Sequence, residues 1–289
     1  MLGTALRRAL QARSTPVVQL VRRPPAAEGE LHWDPAATPA IRELAALGAC
    51  RAAIHLSGAN LAAGRWTAAR KRVLISSRVD STQALATLLA GMSRPPEVLL
   101  VASAIGIYGE RACEILHEES APGAGFLSDL CRQWEAAAQP AVDAGIRVVH
   151  LRLGVVLGPG DGALARMLPL FRFGLGGRLG TGRQWMSWIS LADAVSAILF
   201  VLDDPSLSGA VNVCAPHPVT NQQFTRELAR QLHRPAIFPA PAFALRLALG
   251  EIADQALLAS TRVLPTRLLT SGFQFTHDTV DKALAEALA

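Results

Sequence analysis

Residues 97–110 read EVLLVASAIGIYGE. Val98 to Ala102 form an unbroken run of apolar and small residues, the pattern of a strand buried on both faces. The run breaks at Ser103 into a glycine-punctuated turn that ends Ile107-Tyr108-Gly109. Open α/β sheets bind ligands beyond the carboxyl ends of such strands, near the point where strand order reverses, so this bend is where chemistry is expected. A core strand followed by an ordinary turn is the other reading of the same residues.

The flanking sequence alternates between the two periodicities. Gly3 to Leu10 is helix-forming, Pro16 opens a strand over Val17–Val21 that Arg22-Arg23-Pro24-Pro25 closes, and Ala52–Leu56 is a strand ending in Ser57-Gly58-Ala59-Asn60. A helical stretch from Trp66 to Ala90, with Leu74, Ile75, Val79, Leu85, Leu88 and Leu89 on its apolar face, stops at Pro95-Pro96. A helix over 128–144, a buried strand at Arg147–Leu153 and a glycine-rich turn over 154–162 follow. Strands and helices at this spacing predict an α/β fold, a Rossmann-type, right-handed, doubly wound parallel sheet.

Further on, the glycines between Leu170 and Gly182 predict a mobile loop able to cover a ligand, or a linker. Ser190 suits the N-cap of a helix over Leu191–Leu202, Ala210–Val213 is a short strand, and Thr220 with Gln223 forms a capping-box pattern for a helix to Leu232. Past Pro235 short apolar helices are separated by Pro239, Pro241 and Pro265. The expected division is a nucleotide domain over 1–235 and a small, mostly helical lobe over 236–289 on the substrate side.

Composition narrows the function classes. The 289 residues are 51% hydrophobic and 18% charged, and no window offers the roughly 18 uninterrupted apolar residues of a membrane span. The net charge of +5 is scattered, without basic clusters interleaved with aromatics, so nucleic acid is not an expected partner. Cys50, Cys113, Cys131 and Cys214 form neither a CxxC pair nor a zinc spacing. Free thiols, no metal site and a cytoplasmic setting are the expectation. Residues 1–27 carry five arginines and no acid, as a mitochondrial presequence does, although a helix followed by a strand describes them better.

Three features bear on a nucleotide. Gly3, near the start of a helix, is where the last glycine of a pyrophosphate turn would stand; Arg22 and Arg23 end the next strand, where an arginine suits a ribose 2′-phosphate and an acid suits the free diol; Gly58 ends the third. Taken singly, each is also what a flexible terminus, a solvated basic pair and an ordinary turn look like.

Together the blocks resemble a family, the extended or atypical short-chain dehydrogenase/reductases, in their nucleoside-diphosphate-sugar epimerase-like branch. HLSGAN at 55–60, RVDSTQALATLLA at 78–90, SAIGIYGE at 103–110, RLGVVLGPG at 152–160, SWISLADAV at 187–195 and GAVNVCAP at 209–216 resemble its successive motifs. RVLPTRLLTSGFQF at 262–275 resembles the branch's small C-terminal domain of unknown function. The resemblance implies NADP(H) as cofactor, held by Gly3, Arg22, Arg23, Leu56, Ser57, Gly58, Ser103 and Arg152.

The superfamily's hydride chemistry uses Tyr-x-x-x-Lys, the lysine lowering the tyrosine pKa so that phenolate acts as base. Here the only tyrosine is Tyr108 and the only lysines are Lys71 and Lys282, and the matching helix puts Leu127 and Cys131 at the two positions. If chemistry persists, Ser103 donates a hydrogen bond, Tyr108 serves as acid and Glu118 or Glu119 as base. Two functions follow: an NADP(H)-dependent oxidoreductase or epimerase-like enzyme for an unknown small molecule, or a non-catalytic NADP(H)-binding protein that senses cofactor state or binds a partner. MLGTAL also resembles the interior of the family's glycine turn and first helix. That implies a first strand upstream, its place lying between the Val17 and Val98 strands.

Overall fold

Strands and helices alternate through most of the chain. In the computed structural model, which describes residues 1–37 and 50–289, helix α1 (Leu2–Ala12) leads to β1 (Gln19–Val21) and β2 (Glu30–His32). Strand β3 (Ala52–His55), helices α2 (Ala68–Ser76) and α3 (Val79–Ala90), and β4 (Val98–Ala104) follow. A 3-10 turn at Ile105–Tyr108 then leads to β5 (Ile115–Leu116), α4 (Phe126–Ala136), α5 (Gln139–Asp143), β6 (Arg147–Leu153) and β7 (Val155–Leu157). Next come α6 (Gly162–Arg172), β8 (Trp185–Met186), β9 (Trp188–Ser190), α7 (Leu191–Asp203), β10 (Gly209–Val213), β11 (Val219–Thr220) and α8 (Asn221–Gln231). The last stretch holds α9 (Ala242–Leu249), a π turn at Ala253–Leu257, β12 (Arg262–Val263), α10 (Thr266–Thr270) and α11 (Val280–Leu288).

The central sheet is four-stranded and parallel, ordered β10-β6-β4-β3. Strand alternation sends Val98, Leu100, Val149, Leu151, Val211 and Val213 to one face, where they meet Leu6 and Leu10 of α1 and Ile198 and Val201 of α7. Leu99, Val101 and Val148 point to the other face, against Leu85 and Leu89 of α3 and Trp134 of α4. Burial on both sides is why β4 reads as a continuous apolar run. The helix starts are set locally: Ser190 Oγ accepts from Asp193 N at 3.0 Å, and Thr220 and Gln223 form the full capping box.

The neighbours of β4 correct the expectation about the sheet's open edge. Strand β4 pairs with β3 on one side and β6 on the other, so no further strand fits beside it. The α2–α3 crossover returns the chain to the position next to β3. Strands β1 and β2 form a separate parallel ladder, and among the described residues no ladder joins β1 to β3 or β4. The two units meet through side chains, with the Trp33 ring edge-on to His55 at 5.6 Å between centroids.

Other boundaries also shift. The helical stretch 66–90 breaks at Ser77-Arg78, the 128–144 helix divides into α4 and α5, and β2 was not foreseen. The loop expected over 170–182 begins inside α6, and it is tied to the C-terminal stretch by Gly180 N donating to Ala240 O at 2.8 Å. The C-terminal residues enter three cores: Leu268 and Phe273 that of α1 and α7, Val263 that of Tyr108, and Val280, Ala283, Leu284 and Ala287 that of Trp188 and Phe224. No helix among the described residues is long and apolar enough to cross a membrane.

Because α11 completes a core built by α8 and β9, it unfolds with them. Leu284, 0% exposed, when replaced by Ala should cost about 2–5 kcal/mol. Urea transitions followed by tryptophan fluorescence and by circular dichroism should shift together; a separate early transition would make the C-terminal stretch an independent unit.

Candidate functional site

A buried polar network lies under the carboxyl ends of β4, β6 and β10. Arg152 of β6 grips Glu135 of α4 with both arms, Nε to Oε1 and Nη2 to Oε2, each at 2.9 Å. Ser103 Oγ, at the end of β4, donates to the same Oε1 at 2.7 Å. Arg152 Nη1 donates to the Tyr108 hydroxyl at 3.0 Å and to the Glu118 carbonyl at 3.0 Å, and the Tyr108 hydroxyl donates to Asn212 Oδ1 of β10 at 2.7 Å. Glu118 Oε1 accepts from the backbone N–H of Asn212 at 3.1 Å and of Arg267 at 3.2 Å, while its Oε2 is buried without a partner. The fold therefore brings Ser103, Tyr108, Glu118 and Arg152 together.

It brings the two hydroxyls together already engaged. Tyr108 is 0% exposed, and its hydroxyl has its donor used by Asn212 and an acceptor position filled by Arg152. Burial pushes its pKa up, against the opposing pull of Arg152, so the phenol is held neutral. Burial alone would raise the Glu135 carboxyl, but hydrogen bonds from Arg152 and its charge outweigh burial and hold it below its ordinary value. Arg152, expected beside the cofactor, is the ion-pair partner of Glu135, and Glu135 and Asn212 are the members of the network that the sequence reading missed. Their signal was there to read: polar residues inside buried elements, in WEAAA and VNV.

The two positions that the resemblance assigns to the superfamily's tyrosine and lysine lie on helix α4. Leu127 lies against the end of β4, its Cβ 3.5 Å from where a Gly106 Cβ would be, and Cys131 is buried with its thiol pushed up to about 12 by burial. Neither side chain can relay a proton near neutral pH.

The expected cofactor residues lie along the ends of the strands. Ser57 and Gly58 are exposed just beyond β3, and Leu56 is half-buried between the two cores. A Cβ on Gly58 would meet the Arg78 guanidinium at 3.0 Å, so it is an arginine that uses the space glycine leaves. His55, beneath them, bonds Ser81 Oγ at 3.1 Å, and burial lowers its pKa to about 4. Gly3 stands in the first turn of α1 with nothing within 4 Å of its Cβ direction, and that helix start has no side-chain cap. Arg22 is exposed, but Arg23 pairs with Glu30 of β2 at 2.6 Å, an acid not anticipated at this strand end. Arg23 and a backbone N–H hold the Glu30 carboxyl down to about 2.

Beside the β4 turn is a cleft of about 350 Å³, lined by Gly106, Glu110 and Leu127 on one side and Arg246, Asp254 and Gln255 on the other. Arg246 Nε pairs with Asp254 Oδ1 at 2.8 Å along that second side. Gln255 of the π turn accepts from Leu127 N at 2.9 Å, capping α4 from the C-terminal stretch, and donates to Glu251 at 2.6 Å. Among the described residues there is no cluster of ligand type that could hold a metal ion.

A parallel sheet with its polar residues at the strand ends, a glycine-bearing helix start and a capping C-terminal stretch matches known proteins. Residues 1–214 fit the model of the NAD dependent epimerase/dehydratase family, and residues 240–287 fit a domain of unknown function, DUF1731. The chain belongs to the NAD-dependent epimerase/dehydratase family. Among family relatives, it is 44% identical to an epimerase family protein of Mycobacterium tuberculosis over 287 residues, 99% of this chain and 94% of the other. It is 34% identical to human epimerase family protein SDR39U1, covering 100% and 96% of the two chains. A crystal structure of that human protein (isoform 2) with NADPH superposes with a TM-score of 0.91 at 33% identity, over 99% of this chain and 95% of that one.

The Arg152–Glu135 pair gives the site a pH signature. A carboxyl held below its ordinary value of 4.5 contributes stability above that value, lost as pH falls through its folded value. Glu135→Gln leaves a buried guanidinium without its counter-charge and should cost about 3–5 kcal/mol near neutrality. In urea titrations from pH 7 to pH 3 the difference between variant and parent should shrink below about 4.5; a constant difference would mean Glu135 contributes by packing rather than charge.

Proposed function

We propose that this chain binds NADP(H) along the carboxyl ends of β1, β3 and β4 and holds a small-molecule substrate, of a class not yet identified, in the cleft between the β4 turn and α9. The residues present fit a dinucleotide. The open start of α1 at Gly3 suits a phosphate, the exposed Ser57-Gly58 end of β3 suits the adenosine half, and Arg22 suits a 2′-phosphate. The family relative that binds NADPH in its crystal structure supports the same choice. Bound NADP(H) supplies hydride chemistry, and the chain's own part is to hold it and exclude water.

What supports this reading is that Leu127 and Cys131, which the resemblance aligns with the superfamily's tyrosine and lysine, are buried and carry no proton relay, while Tyr108 and Ser103 are locked in the network. Reaction by the superfamily's sugar-epimerising route is therefore not expected. An oxidoreductase whose ligand brings its own acid or base remains, acting in a cleft walled by Leu127 and the Arg246–Asp254 pair. The second reading, a non-catalytic NADP(H)-binding sensor or partner-binding protein, is supported by the commitment of the Ser103 and Tyr108 hydroxyls to bonds within the network. Four unpaired cysteines support a reducing compartment such as the cytoplasm for either one.

Labelled NADPH incubated with a panel of carbonyl compounds separates the two: transfer of label supports the oxidoreductase, and tight binding with no transfer across the panel supports the sensor. A UDP-hexose should show no turnover approaching about 10 per second. Arg22→Ala combined with Arg23→Ala should weaken NADPH binding about tenfold or more while leaving NADH within about twofold. Equal losses for the two nucleotides would remove the arginines from the 2′-phosphate site.

A further inference from the structure

Helix α9 is apolar but for Arg246, yet none of its residues is fully buried. An apolar helix of a folded domain ordinarily turns its large side chains to the core. Here Phe243 and Leu247, one turn apart on the same face, are 72% and 76% exposed. They do not stand alone. Phe173 is 81% exposed and Ile237 70%, and Leu175 and Phe238 are exposed as well. Backbone contacts join the segments that carry them: Ala240 N donates to Arg178 O at 2.9 Å, Gly180 N donates to Ala240 O at 2.8 Å, and a Cβ on Gly174 would lie 3.5 Å from Pro235 Cγ. Helix α9 starts directly after, at Ala242. Most of the large exposed apolar side chains among the described residues therefore gather along one seam, where an ordinary surface scatters them singly.

The same segments carry positive charge without negative. Residues 162–192 and 228–250 contain seven arginines and neither aspartate nor glutamate. Arg230 and Arg246 are paired, with Glu227 and Asp254. Arg172, Arg178, Arg183 and Arg234 are exposed and, among the described residues, belong to no ion pair. Arg178 and Arg226 of α8 line a hollow of about 170 Å³ together with Gln222, Thr225 and Ile237. Two guanidinium groups beside neutral polar side chains in a space of this size suit a phosphate. The charge also decides between occupants. Two copies meeting through this surface would set the same arginines against one another, which is costly. A bilayer bearing anionic phospholipids supplies both missing partners: headgroup phosphates for the arginines, and an acyl boundary for phenylalanine, leucine and isoleucine. Such a contact lies in the interface and needs no spanning helix.

We propose that this seam docks the chain peripherally on an anionic phospholipid bilayer, with Phe173, Ile237, Phe238, Phe243 and Leu247 entering the headgroup–acyl boundary and a headgroup phosphate seated between Arg178 and Arg226. Both halves of the surface are needed. Apolar side chains alone would bind a neutral bilayer equally well, and arginines alone would bind any polyanion. Because Arg246 of α9 lines the cleft beside the β4 turn, the docked surface adjoins the place assigned to the substrate, although the proposal does not depend on that assignment.

The test is flotation of the full chain with vesicles of phosphatidylcholine alone and of phosphatidylcholine mixed with phosphatidylserine, at low and high salt. The parent should bind the mixed vesicles about tenfold or more tightly than the neutral ones, and salt should weaken that binding. Phe243→Gln with Leu247→Gln keeps helix-forming residues on α9 and should lower binding to the mixed vesicles by about tenfold. Arg178→Gln with Arg226→Gln should remove most of the preference for phosphatidylserine. Val142→Gln, at an exposed apolar position away from the seam, should leave binding within about twofold, and all variants should keep the parent's circular dichroism spectrum. Failure to bind the mixed vesicles, equal binding to both kinds, or equal losses from the Val142 and α9 variants overturns the proposal. So does a concentration-dependent dimer in sedimentation velocity that the α9 variant abolishes, which would make the seam a contact between copies. Capture by poly-glutamate without binding to vesicles would assign the surface to an acidic protein and overturns it as well.

Discussion

The ion pair between Arg152 and Glu135 is the constraint on which the ends of the central strands depend. One charge comes from a strand and the other from the helix that covers it, so β6 and α4 can pack only in the register that lets both arms meet both carboxylate oxygens. Ser103 then fixes the end of β4 against the same carboxylate, and Tyr108 carries the connection to Asn212 of β10. Each hydroxyl that could have served chemistry is committed to this work. The network exchanges reactivity for position, and the bend after β4 is held in a single shape.

Residues 1–214 fit the family's model and 240–287 that of the C-terminal domain, while the two α4 positions that the resemblance assigns to its tyrosine and lysine hold a leucine and a buried thiol. Leu127 and Cys131 fill the same volumes as core residues would. A site can lose its acid and base without disturbing its scaffold, because the packing of α4 on β4 asks only for apolar bulk at these positions.

Much of the fold was legible because it is local. The apolar run of β4, the serine before α7 and the Thr–Gln box before α8 each act within a few residues, and each is found as read. What was not legible depends on partners far apart in sequence. Glu30 neutralising Arg23 requires β1 and β2 to pair, and Arg152 meeting Glu135 requires β6 to lie beneath α4. Strands β5 and β12 are two residues each and pair across more than half of the chain, a contact with no periodicity to betray it. The place of β4 inside the sheet, with β3 at its edge, likewise follows from where the crossover lands. Arg78 was visible only as one member of a helix motif; that it is buried with no carboxylate among the described residues pairing with it is a fact of three dimensions.

Gln255 gives the cleft a particular kind of door. Its side chain caps the first turn of α4 at Leu127 and holds Glu251, which in turn takes Lys71 of α2 at 2.5 Å. The C-terminal stretch is therefore latched at once to two helices of the nucleotide-binding half. A swing of α9 away from the cleft would strip a hydrogen bond from the helix that forms the cleft's floor, so gate and floor loosen as one. For a ligand held in the cleft as proposed, entry would follow the lifetime of a helix cap, a matter of local fraying rather than of hinge bending.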